Sequence, residues 1–300
     1  MSLHAPVRIV AACLSLAAGC TDRSLGGDAP EVAAGTSQAI LDLLFVIGDT
    51  VDMAAQQATL RARFPLLLER LERVASGVEV HVGVTTADLG APGTDCGYGS
   101  GGRLLDEGLA SPIGCEALTG APYLRYVTGT RETNAPDGDA SKAFSCMAAN
   151  GELGCAYQMP LEAMYRVLTS DTSGFLRPDA RLAVVLLGDG DDCSVDDPES
   201  ALFAGGDAPE LARCAHHDAL APLGKYEHLI ARPRDRGGLK VDPRQIVVAT
   251  LAAPARCDGH LSTRARLDGI AAAAGHAVRG SLCDADAFFS TLADALAVAR

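Results

Sequence analysis

Residues Leu43-Leu44-Phe45-Val46-Ile47 form an apolar run that stops at Gly48-Asp49-Thr50-Val51-Asp52, and a long helical pattern follows. A strand with no polar alternation must be covered on both faces, as a buried parallel strand is. A polar cluster directly after it falls at the carboxyl edge of an open α/β sheet, where such folds bind ligands. Further apolar runs at 182–187 and 246–251 alternate with helical patterns, and that alternation favours an α/β architecture. The expected strands are 40–47, 78–85, 123–128, 182–187, 246–251 and 277–283. The expected helices are 51–75, 161–168, 261–274 and 284–299, with a partly helical stretch ending near 231. Pro65 is expected to kink or break the first helix. Val78, Val80, Val82 and Val84 alternate with Glu79, His81 and Gly83, which places His81 on an exposed face.

With 48% apolar residues the chain can bury a sizeable core, and without Trp that core is mainly Leu, Val and Ala. The formal charge of −13 comes with no run of Lys or Arg. Nucleic acid is therefore not an expected partner, because phosphate binding needs a basic face.

Arg8 precedes the apolar stretch 9–18, which is too short to span a bilayer. The stretch ends in Leu16-Ala17-Ala18-Gly19-Cys20, which resembles the lipobox of bacterial lipoproteins. That resemblance implies a signal peptide over 1–19, lipid on Cys20 and a membrane-anchored protein of the bacterial cell envelope. Multiple acyl chains hold such a protein stably. Residues 20–38, rich in Gly, Ala, Ser and Asp, read as a flexible tether.

Setting aside Cys13 and Cys20 leaves an even set of cysteines, which in an exported chain suggests disulfides. Spacing alone does not choose the connectivity. Consecutive pairing is the working expectation: Cys96–Cys115, Cys146–Cys155, Cys193–Cys214 and Cys257–Cys283. Each bridge would stabilise by about 3 kcal/mol.

The apolar run at 43–47 resembles the first strand of the von Willebrand factor type A family. So do Phe175-Leu176-Arg177-Pro178-Asp179-Ala180 and the block from Leu182 through Gly188-Asp189-Gly190-Asp191-Asp192-Cys193. Pro160-Leu161-Glu162-Ala163-Met164 and the C-terminal helix also fit. The resemblance covers residues 39–300, with a disulfide-closed insertion at 86–141. It implies a doubly wound, mostly parallel sheet with helices on both faces, as in Rossmann-like folds. It also implies a protein-binding or adhesion-type module.

The family's adhesion site binds a cation through an Asp-x-Ser-x-Ser loop, a Thr from a second loop and an Asp after the central strand. Hard cations take oxygen ligands of this kind. In this chain Gly48 stands at the expected Asp, Thr50 at the first Ser and Asp52 at the second. No Thr occurs between Asn150 and Pro160. Asp49, Thr50, Asp52 and Asp189 are the candidate ligands of a degenerate site for Mg or Ca. The other reading is a retained scaffold with a vestigial site. Asp189, Asp191, Asp192, Asp196 and Asp197 form an acidic cluster that fails the EF-hand pattern and reads as a solvated loop.

Two other functions stay open. Gly188-Asp189-Gly190-Asp191-Asp192 also resembles the late magnesium motif of haloacid-dehalogenase-type phosphatases, with Asp49 as the candidate nucleophile. A purely structural envelope protein is the other. The favoured expectation is a non-enzymatic scaffold that meets a protein or surface partner at the carboxyl edge of its sheet.

Overall fold

A computed structural model describes residues 40–51, 53–74, 76–91, 99–197, 199–203, 214, 218–252 and 264–297. The strands are β1 (Ile40–Ile47), β2 (Glu79–Thr86), β3 (Leu124–Val127), β4 (Arg181–Gly188), β5 (Ile246–Ala252) and β6 (His276–Ser281). They form one sheet in the order β3-β2-β1-β4-β5-β6. All neighbours run parallel except β3, which lies antiparallel to β2 at the edge. The central strand is buried from Leu41 through Ile47, as its unbroken apolar run requires. Residues Gln38–Arg300 cluster as one compact unit.

The helices are α1 (Met53–Val74), α2 (Ala140–Met147), α3 (Pro160–Ser170), α4 (Leu223–Ala231), α5 (Ala265–Ala273) and α6 (Ala285–Ala297). Alternate β1 side chains feed two cores. Leu43, Phe45 and Ile47 meet α1, α2 and α6 through Phe64, Phe144 and Leu292. Leu44 and Val46 meet α3, α4 and α5 through Met164, Tyr226 and Ile270. The rings of Phe64 and Phe144 stack, with Phe45 edge-on to Phe144 at 4.9 Å. Each such buried side chain contributes about 1.5–3 kcal/mol. This is the doubly wound architecture expected from the sequence.

Several details differ from expectation. α1 runs through Pro65 without ending, because losing one backbone donor costs less than the buried face of a 22-residue helix returns. α2 was not anticipated. Asp139 caps it, accepting from the N–H groups of Ser141 and Lys142 at 2.9 and 3.0 Å. The last strand stops at Ser281, and a 3₁₀ turn over Leu282–Asp284 leads into α6.

His81 is buried, not exposed, because the segment before β4 covers that face of β2. Its ring lies against Tyr123, with Nδ1 3.1 Å from the Phe175 carbonyl oxygen. Burial, then the nearby Arg177, holds its pKa below the ordinary range. Beneath it Asp42 is fully buried and accepts from the Arg177 backbone N–H and Nε, both at 2.8 Å. The buried Lys240 ammonium lies 3.7 Å from Asp42 and donates to the Arg177 carbonyl. Burial moves the Lys240 pKa down to about 8.

The cysteine pairing is not consecutive. Cys115 bonds Cys146, with Cα atoms 5.7 Å apart, which overturns Cys96–Cys115 and Cys146–Cys155. The reason is packing across the insertion: the Ala110 N–H donates to the Ala149 carbonyl and Ser111 Oγ to that of Cys146. These bonds lay the 108–115 loop against the end of α2. Cys193 bonds Cys214. Cys155 and Cys283 are each disulfide-bonded. Cys96 and Cys257 lie outside the described residues, as do Cys20, the signal segment and the tether. No helix among the described residues is long and apolar enough to cross a membrane.

Candidate functional site

The carboxyl edge of the sheet begins where β1 ends. The Gly48 N–H donates to the Leu187 carbonyl at 2.8 Å, and the Ala87 N–H donates to that of Ile47 at 2.9 Å. Strand pairing thus carries Gly48 level with the end of β4 before the chain turns at Asp49. Thr50 accepts the Met53 N–H through its carbonyl at the start of α1.

Two of the candidate ligands come together. Thr50 Oγ1 donates to Asp189 Oδ2 at 3.0 Å. Asp49, the substitute carboxylate, is directed elsewhere. Its Oδ1 accepts from Gln158 Nε2 at 3.0 Å, while Gln158 Oε1 accepts the Asp49 N–H at 3.3 Å. Gln158 also donates to the Cys155 carbonyl. Asp52 lies outside the described residues.

Around this pair the loops are tightly bound. Gln57 of α1 donates to the carbonyls of Gly48 and Gly151 and accepts from the N–H groups of Asn150 and Gly151, all within 2.9–3.0 Å. The Gly154 N–H donates to the Asp49 carbonyl at 2.8 Å. A Cβ on Gly154 would fall 2.2 Å from Asp49 Oδ1, so only glycine fits there. Asp88 accepts from the N–H groups of Gly90 and Cys155 at 2.7 and 3.0 Å. Burial first, and the Asp88 charge second, push the Asp49 pKa up to about 7.

Among the described residues only Thr50 and Asp189 of the expected ligands meet, which is too few side-chain oxygens for a hard cation. Gly48 brings no side-chain oxygen, its carbonyl is taken by Gln57, and a Cβ there would lie 3.5 Å from Gln158 Oε1. The second loop supplies an amide where a hydroxyl is needed, and that amide occupies Asp49. The acidic cluster next to it serves the backbone. Fully buried Asp192 accepts from the Leu161 N–H at the start of α3, from Ser194 Oγ and from Arg266 Nε. Asp191 accepts the N–H groups of Arg266 and Leu267 in the first turn of α5. One short loop thus caps two helices. This corrects the solvated-loop expectation for Asp191 and Asp192. Nearby, Ser100 is buried and bonds Thr85 and Thr86.

Sequence reasoning missed Gln158, Gln57, Asp88 and Gly154. Gln158 was within reach, because it is the amide in the interval from Asn150 to Pro160 where a hydroxyl was sought.

No family model matches the chain, and a search of the curated proteins finds no match. Among solved structures, the chain is similar to a von Willebrand factor type A protein from Catenulispora acidiphila. Identity is 15% over 87% of this chain and 43% of that one, with a TM-score of 0.39. It is also similar to proximal thread matrix protein 1 from the mussel byssus, at 12% identity over 87% of this chain and 49% of that one, TM-score 0.40. A third is the pilus adhesin SpaC from Lactobacillus rhamnosus GG, at 12% identity over 87% of this chain and 30% of that one, TM-score 0.42. The chain therefore spans less than half the length of each of these structures. The order β3-β2-β1-β4-β5-β6 with its antiparallel edge strand is a doubly wound, mostly parallel α/β fold, the architecture that the von Willebrand factor A resemblance implies.

Proposed function

We propose that the chain is an exported, lipid-anchored envelope protein whose α/β domain is a cation-independent protein-binding scaffold. It meets its partner at the carboxyl edge of the sheet and catalyses no reaction. The observation that carries this reading is the Gln158–Asp49 pair, two hydrogen bonds that hold the edge loops where a cation would otherwise organise them. The disulfides support an oxidising compartment. The carboxylates a phosphatase would use are otherwise engaged: Asp49 with Gln158, and Asp192 with a helix N-terminus and Arg266.

Photo-crosslinking on intact cells tests the reading. A photoreactive side chain at Gly190, on the edge, should give a protein adduct of the same yield in EDTA and in Mg²⁺. The same group at Thr169, near the far end of α3, should give none. Adducts only from Thr169, or adducts from Gly190 that EDTA abolishes, would contradict it. Cys20→Ala should move the chain from the membrane fraction to the soluble one.

A further inference from the structure

Five large apolar side chains stand exposed among the described residues: Val51, Leu109, Ile113, Leu153 and Val241. The first, second, third and fourth lie on adjoining loops at one side of the carboxyl edge. The Leu109 N–H donates to Asn150 Oδ1, and a Cβ on Gly151 would touch Ala110 Cβ at 3.0 Å. Leu153 is two residues beyond Gly151. The Gly154 N–H binds the Asp49 carbonyl, and Val51 is two residues beyond that. These contacts bring the loops that carry Ile113, Leu109, Leu153 and Val51 side by side, and the four exposed side chains form the row considered below. Ile113 is fully exposed and Leu153 is 87% exposed.

Loops that merely fail to bury an apolar residue are seldom held this firmly. Here the Cys115–Cys146 bridge, the Ala110–Ala149 bond and the Gln57 side chain fix the row in place. A surface ordered before binding loses less entropy when a partner arrives. An exposed apolar row with a polar rim is the signature of an interaction site.

The rim carries one sign of charge. Asp106, Glu107, Glu116 and Glu152 stand exposed or half-exposed in these loops. Residues 104–122 and 143–165 contain no Lys or Arg. Of the neighbouring cations, Lys142 is paired with Asp137, and Arg61 and Arg103, which keep their charge, are held outside these loops by Ser145 Oγ and the Ser100 carbonyl, so the four carboxylates outnumber them. An acidic rim repels an anionic lipid surface and attracts a basic protein surface.

We propose that this row is the docking surface of the scaffold. Its partner is a protein segment that presents aliphatic side chains between Lys or Arg residues. The proposal rests on the carboxyl-edge reading above and specifies its chemistry.

The test is fluorescence anisotropy with the full chain and a labelled amphipathic peptide of about five helical turns, built only of Leu and Lys. Saturable binding is expected, weakening as salt rises from about 0.05 to 0.3 M. The combined variant Val51→Ser, Leu109→Ser, Ile113→Ser and Leu153→Ser should bind at least about tenfold more weakly. Val241→Ser should bind as the parent does. So should a variant neutralised at Glu227, Asp235 and Asp294, which controls for nonspecific attraction to an acidic chain. The single variants Ile113→Ser and Leu153→Ser, at the most exposed positions, answer the question if the combined variant does not fold.

No saturable binding by the parent, or equal binding by the combined variant, would overturn the proposal. Binding of phosphatidylglycerol vesicles in preference to the peptide would overturn it in favour of a lipid surface. Cation independence and crosslinking at Gly190 are read separately. If they hold while the peptide result fails, the docking row is wrong and the edge reading survives.

Discussion

Asp49 and Asp42 are both buried carboxylates, and burial raises the pKa of each, but only Asp42 has cations beside it that offset the shift. Around Asp49 burial and the Asp88 charge favour the protonated form, moving its pKa from 3.8 to about 7. The folded chain thus holds this proton more tightly than the unfolded chain. The associated stability is fully present below about pH 4 and is lost as pH rises through about 7. Asp88 is raised in the same direction by burial, so it deepens the same trend. Asn at position 49 keeps an acceptor for Gln158 Nε2 without the charge. Asp49→Asn should therefore gain on the parent by up to about 4 kcal/mol above pH 7 and by little near pH 4, read by urea unfolding across that range. A gain independent of pH would contradict the assignment. Asp42 instead faces Arg177 and Lys240. Asp42→Ala leaves the buried Lys240 without this counter-charge and Arg177 with only Glu79, and should cost about 3–5 kcal/mol in the same measurement.

At the scale of elements, the loop after β4 holds the starts of α3 and α5 together through Asp192 and Asp191. Asp192→Ala removes a cap and leaves the Arg266 guanidinium short of a partner, so a loss of about 3 kcal/mol is expected. Asp191→Ala removes a partly exposed cap and should cost only about 1 kcal/mol. Equal losses would mean that burial does not separate the two. The Cys115–Cys146 bridge closes a separation of 31 residues, and Cys115→Ser with Cys146→Ser should lower stability by about 3–4 kcal/mol. The strands were legible in the sequence because unbroken apolar runs such as 43–47 have few alternatives to a buried strand. α2 was not, because its 8 residues carry too short a pattern and its signal lay in the Asp139 cap. The cysteine pairing was hidden for a different reason. It depends on which loops lie side by side, and sequence spacing does not record that. His81 misled because alternation in β2 gives the side of the sheet a residue faces, and not whether a later segment covers it.

For the whole molecule, the resemblance implied a cation motif that this sequence does not complete, and the sequence did not say what stands in its place. The absence of Asp at Gly48 and of Thr before Pro160 could be read directly. That Gln158 turns back to bond both the N–H and the carboxyl of Asp49 required the fold, since those residues are 109 positions apart. With this pair in place, protein hydrogen bonds join α1, the 149–155 loop and the end of β1. The most direct test is thermal unfolding of the oxidised chain, titrated with Mg²⁺, Ca²⁺ and Mn²⁺ to about 10 mM, with Asp189→Ala as the control. A cation held by the folded state at 100 times its dissociation constant would stabilise it by about 2.7 kcal/mol. No saturable shift is expected, in the parent or in the variant. A saturable rise in the parent midpoint that Asp189→Ala abolishes would contradict a cation-independent scaffold.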